Sequence, residues 1–432
     1  MKDSCQNTVH VSAPRNVFFN LSLFQFLTFL RRGIFYTFMI NYLYMLMHTV
    51  TSTAALGTLN MLASALGQNL LWGRISDRCK LRTKLIVVGE TIASFAYIIV
   101  FLVHKSLIDM RNAFAAGLTI IFGLSTLEFF WSMSDVGWAA LLTDLTTPQK
   151  RGRIVGILNF IASLGRMVGI IFAGYLYSDG EGFKNGTIFF IVAILLLAGA
   201  AIMAFTARNM KEKPSTQRQN SFRMEAKCTH DGGSTDEKMY RWLLLSLIII
   251  VLGASSINQV FLLFIKLPEG LNASDPEMSL ILSAWTMGGM LASLVSGGLA
   301  DNIGRTKTML SGLLLATVTP IMYAVTSNVF VVALAYGLNG VSFWVIQTVG
   351  FTLASDIIPE QKRGLLFSRY NTVMALSWGP AGLLIGGPLA DIQTSRLGLS
   401  DYVAYVNTFY ASAIIVAMGT ILFALKFSRF KL

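Results

Sequence analysis

The chain has 432 residues, 54% hydrophobic and 13% charged, with a mean hydropathy of +0.61. Soluble domains carry roughly 25% charged residues, so this composition excludes an ordinary soluble fold and points to a lipid-embedded one. The net charge of +12 raises nucleic acid as a partner, but no basic face remains once the cations are assigned to loops, and that partner is set aside.

A bilayer core needs about 20 mostly apolar residues per helix. Twelve stretches qualify, at 17–47, 54–75, 83–104, 113–143, 153–177, 186–207, 240–265, 278–300, 307–326, 329–355, 366–390 and 402–427. They divide six and six. The expected fold is all-α and integral to the membrane, with a six-helix bundle at 1–207, a cytoplasmic linker at 208–239 and a second six-helix bundle at 240–432. The linker is the one long hydrophilic segment, rich in Lys, Arg, Ser, Gln and Gly, a flexible-chain composition. The N-terminus is polar and leads into a span too long for a signal-peptide core, so no cleavable leader is expected.

Orientation follows from the cations. Of the 34 Lys and Arg, 26 fall on the side of the termini, 5 in the opposite loops and three (Arg31, Arg32 and Arg166) within spans. Both termini are therefore expected in the cytoplasm, in the plasma (inner) membrane. Cys5, Cys79 and Cys228 fall on that reducing side, so no disulfide is expected. His10, His48, His104 and His230 are scattered in loops and tails, which gives no metal site and no cofactor. Asn185-Gly186-Thr187 and Asn272-Ala273-Ser274 are glycosylation sequons in the outer loops.

Two polar stretches repeat. Gly73-Arg74-Ile75-Ser76-Asp77 leads to Arg82-Thr83-Lys84, and Gly297-Gly298-Leu299-Ala300-Asp301 leads to Arg305-Thr306-Lys307. The aspartates are 224 apart and the arginines 223. A second repeat joins Asp144 with Arg151 and Asp356 with Arg363, each pair of equivalents 212 apart. Internal repeats of this kind mark a duplicated architecture.

The first pair of stretches resembles the signature between the second and third helices of the major facilitator superfamily, Gly-x-Leu-Ala-Asp-x-x-Gly-Arg-Arg/Lys. The second copy fits closely; the first has Lys80 where the inner glycine belongs, and one residue extra. The resemblance covers nearly the whole chain. It implies a twelve-helix secondary transporter with a cytoplasmic gate of Asp77, Arg82, Asp144 and Arg151 in one half and Asp301, Arg305, Asp356 and Arg363 in the other. Glu90, low in the third helix, is expected to support that gate by pairing with Arg82 or Arg78.

Charges inside the bilayer cost at least about 2.5–3.5 kcal/mol each and are functional candidates by default. Arg31, Arg32, Glu128, Asp135 and Arg166 lie deep in helices 1, 4 and 5. A rise of 1.5 Å per residue puts Arg31, Arg166, Glu128 and Asp135 about 21, 20, 24 and 14 Å from the cytoplasmic ends. Arg166 can then pair with Glu128 or Asp135. Arg31 and Arg32 are adjacent and cannot share a face, and Arg32 is favoured for the cavity. The second half offers neutral groups instead: Asn258, Gln259, Asn339, Trp344 and Gln347. Tyr36, Phe130, Trp131, Trp138, Trp285, Phe343 and Trp378 are candidate pocket walls.

The expected function is alternating-access transport of a small polar or anionic organic solute by a monomer, with a proton carried by Glu128 or Asp135. Export of amphipathic or cationic compounds is the alternative, although Arg166 stands where the drug antiporters of the family carry a helix-5 proline. A sensor or scaffold on the same fold is the remaining alternative. No nucleophile–base set or phosphate loop suggests an enzyme.

Overall fold

The computed structural model describes residues 15–79, 81–146, 148–209, 235–358 and 363–427. The remainder, including most of the expected linker with Cys228 and His230, and Cys5 and His10, lies outside the described residues. The helices flanking the linker run to Asn209 and start at Thr235, past the expected edges of 207 and 240.

Nine helices among the described residues are long and apolar enough to cross a bilayer unaided. They are α3 (Arg82–Asp109), α4 (Ala113–Leu145), α5 (Pro148–Leu176), α6 (Thr187–Asn209), α7 (Thr235–Ser256, continued by Asn258–Lys266), α8 (Asp275–Ile303), α9 (Arg305–Val325), α10 (Val329–Ile357) and α12 (Asp401–Phe427). The other three spans are interrupted. α1 runs Arg15–Tyr36 and resumes at Met39–Met47. α2 runs Val50–Leu66, passes through a π-helical stretch at Gly67–Trp72 and ends at Gly73–Cys79. α11 runs Arg363–Trp378 and, after Gly379-Pro380, Gly382–Gly386 and Gly387–Ser395. The fold is the expected all-helical twelve-span bundle.

The breaks in α11 and α1 have local causes. Proline at 380 removes a donor and clashes with the preceding turn, and the glycines around it carry no side chain to hold the turn. In α1 the Thr37 hydroxyl donates to the Gly33 carbonyl at 2.5 Å, a back-bond of the kind that bends helices. The α3 helix also extends further than its apolar run. It buries His104, whose Nε2 lies 2.8 Å from the Tyr42 hydroxyl and whose Nδ1 lies 3.3 Å from the Ala116 carbonyl. The expectation of His104 in a loop is corrected accordingly: bonded to Tyr42 and Ala116, it belongs to the core.

Spans α1 to α6 pack chiefly on one another, as do α7 to α12. The face that holds Arg15, Asn209, Thr235 and Phe427 is the terminal face. On the opposite face one apolar core runs through both groups, from Phe38, Tyr42 and Tyr177 to Phe261, Phe264 and Phe409. Towards the terminal face it splits into separate cores, one around Leu21, Phe24 and Leu141 and one around Leu247, Met309 and Phe423. The molecule is therefore sealed at one end and parted at the other.

Candidate functional site

Glycines set the walls of the gap. A Cβ on Gly165 would fall 2.4 Å from the Phe26 carbonyl, and one on Gly169 would fall 2.2 Å from the Leu30 carbonyl. Small residues four apart let helix backbones approach closely, so α5 lies hard against α1. That contact brings Arg166, between the two glycines, onto the same wall as Arg32. Across the gap, α5 meets α8 where Gly174 faces Ser279.

The gap is a cavity of about 1140 Å³ lined from both halves, with Arg32, Glu128, Asp135 and Arg166 on one side and Gln259, Asn371 and Thr372 on the other. Asp135 and Gln68 also line a second space of about 450 Å³ that leads past Ser76, Arg82 and Asp144 at the terminal face. The cavity thus opens towards the terminal face.

Arg32 Nη2 lies 3.8 Å from Glu128 Oε1. Its guanidinium sits 4.3 Å from the Trp131 ring centroid and 5.6 Å from that of Phe29. Arg31 turns the other way and is 1% exposed. It donates from Nη1 to the Tyr97 hydroxyl at 3.0 Å, with the Trp131 ring 5.1 Å away. Its Nε and Nη2 are buried and have no hydrogen-bond partner among the described residues. Trp131 thus stands between the two arginines, one in the cavity and one in the bundle interior.

Glu90 belongs to that interior group. It accepts from Trp131 Nε1 at 2.9 Å and from Ser134 Oγ at 2.7 Å, and it is 1% exposed. The expected pairing with Arg82 or Arg78 is corrected: α3 turns Glu90 onto α4, where Trp131 and Ser134 hold its carboxylate. The expected pairing of Arg166 with an acid is corrected too. Arg32 already occupies Glu128, and Arg166 lies instead 5.4 Å from the Trp285 ring centroid on α8. Among the described residues, neither Arg166 nor Asp135 forms an ion pair.

The second half is arranged differently from the expectation. Gln259 lines the cavity, and its Oε1 packs where a Cβ on Gly382 would otherwise sit. Asn258 is exposed and lies outside the lining. Asn339 is withdrawn from it: its Oδ1 accepts from Trp285 Nε1 at 3.2 Å and its Nδ2 donates to Thr319 Oγ1 at 3.3 Å. Trp344 packs against Gly289 of α8, and Gln347 is half-buried outside the lining. Trp344 fails as a cavity group because it packs onto α8.

Of the aromatic candidates, Tyr36 lines the cavity, and Phe343 buttresses Trp285 at 5.4 Å between centroids. Trp138 packs on Phe24 at 5.3 Å inside the first-half core, and Phe130 lies against Trp72. The side chain of Trp378 lies outside the described residues.

At the terminal face Arg82 Nε lies 3.3 Å from Asp144 Oδ2, and its Nη1 donates to the Ser76 carbonyl and hydroxyl at 2.5 and 2.6 Å. Arg305 pairs with Asp356. Each arginine therefore binds within its own half. Asp301 is exposed. The side chains of Asp77, Cys79, Arg151 and Arg363 lie outside the described residues.

Sequence reasoning missed the α2 wall: Gly57, Asn60, Met61, Ser64, Ala65 and Gln68 all line the cavity. These follow the 3–4 spacing of one helical face, and polar and small residues on that face were the available signal. Asn371, Thr372 and Ala375 on α11 are a shorter version of it.

The family model described as Major Facilitator Superfamily matches residues 21–268 and 243–430. The quinolone resistance protein NorA of Staphylococcus aureus is 28% identical over 153 residues, 35% of this chain and 38% of that protein. An uncharacterised MFS-type transporter of Mycobacterium tuberculosis is 26% identical over 126 residues, 28% of this chain and 18% of that one. The matched segments thus span well under half of these relatives. Among solved structures, a bacterial homologue of the iron transporter ferroportin in an inward-facing state aligns with a TM-score of 0.68 at 17% identity, covering 96% of this chain and 99% of that one. The nucleoside transporter NupG aligns with a TM-score of 0.68 at 15% identity, covering 96% and 100%. Among the described residues no group of His, Cys, Asp and Glu is arranged to hold a metal ion.

Proposed function

The chain belongs to the major facilitator superfamily of membrane transporters, and we propose that it carries a small polar or anionic organic solute by alternating access coupled to protons. The observation that carries the substrate class is Arg166, which faces the cavity from mid-span, rests on Trp285 and has no acidic partner among the described residues. A cation held at such depth is costly, and an incoming anion or polar solute offsets that cost.

The terminal face is read as cytoplasmic from the 26-to-5 distribution of cations, in the plasma (inner) membrane, with the described state open inward. The bundles 1–207 and 240–432 are the units that rock, and 208–239 is their tether. The working unit is a monomer. The proton is assigned to an acid of α4, Glu128 or Asp135, both of which line the cavity.

Reconstituted chain in liposomes should take up a labelled organic acid or polar solute faster under a pH gradient, and Arg166→Ala should abolish that uptake. Uptake limited to hydrophobic cations, unchanged in Arg166→Ala, would overturn the reading. The second reading, export of amphipathic compounds, is favoured by the local similarity to NorA and by the apolar lining of Phe29, Met39, Ile40 and Met61. Competition by quinolones or cationic dyes, with no competition by organic acids, would select it.

A further inference from the structure

We infer, resting on that reading of the cavity, that the solute is an extended zwitterion whose anionic end binds Arg166 and whose cationic end binds Asp135.

The first argument is a balance of charges. Four ionisable groups of opposite sign in equal number line the cavity: Arg32, Arg166, Glu128 and Asp135. Arg32 and Glu128 are paired with each other. What remains is one cation and one anion, each without an ion-pair partner among the described residues. A monoanion would satisfy Arg166 and leave Asp135 facing the same site uncompensated. A monocation would do the reverse. A zwitterion satisfies both.

The second argument is separation. Arg166 lies 18 residues from the terminal-face end of α5 at Pro148 and Asp135 lies 10 residues from that of α4 at Leu145, about 27 and 15 Å, a difference of about 12 Å along the axis. The two groups are too far apart to close on themselves, and a solute that reaches both must hold its charges several bonds apart. An α-amino acid is short for that span; an ω-amino acid or a dipeptide fits it.

The third argument is preorganisation. Arg166 is held from the far half by Trp285, whose indole N–H is fixed on Asn339, which is fixed in turn on Thr319. This chain aims the guanidinium before any solute arrives. Asp135 has no hydrogen-bond donor among the described residues, and a primary ammonium supplies three and favours the ionised carboxylate beside it.

The test is binding to the purified full chain at fixed pH, without a gradient, so that proton coupling plays no part. The probes are 4-aminobutanoate, 5-aminopentanoate and diglycine, against the chain-matched butanoate, pentanoate, butylamine and pentylamine. Binding is read by thermal stabilisation and by tryptophan fluorescence. At least one zwitterion should bind about tenfold tighter than its matched carboxylate, the contribution of one charge-assisted contact. Asp135→Asn should erase that ratio by weakening the zwitterion alone, Asp135→Glu should restore part of it, and Arg166→Gln should weaken zwitterion and carboxylate together. If carboxylates bind as tightly as zwitterions, or if Asp135→Asn leaves the ratio intact, the inference is overturned and the proposed function stands. If only the amines bind, or if no probe binds, the inference is also overturned, and the amine result removes the anionic reading with it.

Discussion

The Asp391 carboxylate accepts hydrogen bonds from the backbone N–H groups of Val50 and Thr51, each at 2.9 Å. It thereby caps the first turn of α2 from α11, across the two halves. The first N–H groups of a helix lack partners of their own, and a negative charge there is stabilising. Thr49, at the N-cap, makes no side-chain capping bond, so the cap comes from the other half. Asn41, whose amide donates to the Leu262 carbonyl at 3.1 Å, and Lys266, bridging Asp275 at 2.6 Å and Asp179 at 3.5 Å, close the same face. Asp391→Ala removes two bonds to a charged group, each contributing about 1.5–3 kcal/mol. It should shift the population at least about tenfold towards a state open on that face. Labelling of Tyr36→Cys by an impermeant thiol reagent from that side should accelerate accordingly. An unchanged rate would mean that the apolar core alone keeps this face shut.

Arg31 and Glu90, both buried and both against Trp131, give a stability prediction. Removing one member of a buried ionic group costs about 3–5 kcal/mol, because the other is left uncompensated, whereas replacing both costs far less. Glu90→Gln should therefore lower the melting temperature of the detergent-solubilised protein by several degrees. The double variant Arg31→Met with Glu90→Gln should recover part of that loss. A double variant less stable than the sum of its single changes would refute the coupling.

How legible these features were depends on what each one rests on. Span number and repeats follow from hydropathy and spacing, which are local, so the twelve helices and their order were readable. Azimuth was not. The partners of Glu90 and Arg166 depend on helix rotation and close packing, which Gly165, Gly169 and Gly89 set through contacts between distant segments. The closing contacts of Asp391 were invisible for the same reason: an aspartate at a helix end and an uncapped helix elsewhere carry no joint signal in one sequence.

The close approach of α1 and α5 predicts a steric outcome. A side chain on Gly169 must displace the Leu30 carbonyl or part the helices. Overpacking costs typically about 1–3 kcal/mol, and here it also carries Arg166 away from Trp285. Gly169→Val should lower thermal stability and reduce transport more than the loss of folded protein accounts for. Gly156→Ala, at a position with nothing within 4 Å, should have no effect on either and serves as the control.

Asp301 tests the gate. Arg305 is engaged with Asp356 inside its own half, while Asp301 is exposed in the described, parted state. A gate aspartate is expected to find its partner only when the terminal face closes. Asp301→Asn should therefore leave folding intact, lower transport and enrich the state open at the terminal face, as should Asp77→Asn. Cysteine accessibility of the α2 wall at Ser64 reads that population. Normal transport in both variants would show that these acids are not part of a gate.

The proton assignment is the most demanding prediction. A guanidinium beside a carboxylate favours the ionised form, and a carboxylate left alone in a dry site favours the neutral one. Arg32 lies against Glu128 in the state open to the terminal face, so a rearrangement that draws Arg32 away lets Glu128 take a proton. Trp131 offers the alternative resting place, since its ring already lies 4.3 Å from the Arg32 guanidinium. Protonation is then linked to conformation without any further group. Glu128→Gln should abolish gradient-driven accumulation yet retain solute exchange, because exchange moves no net proton. Arg32→Ala should damage both, since it leaves a largely buried acid without its cation. Asp135→Asn should weaken solute binding while keeping stimulation by the gradient, which separates the two acids of α4. Counterflow and pH-gradient-driven uptake in liposomes, measured on each variant, make the comparison. Full stimulation in Glu128→Gln together with its loss in Asp135→Asn would transfer the proton to Asp135, and full stimulation in both would reduce the pair of Arg32 and Glu128 to a structural contact.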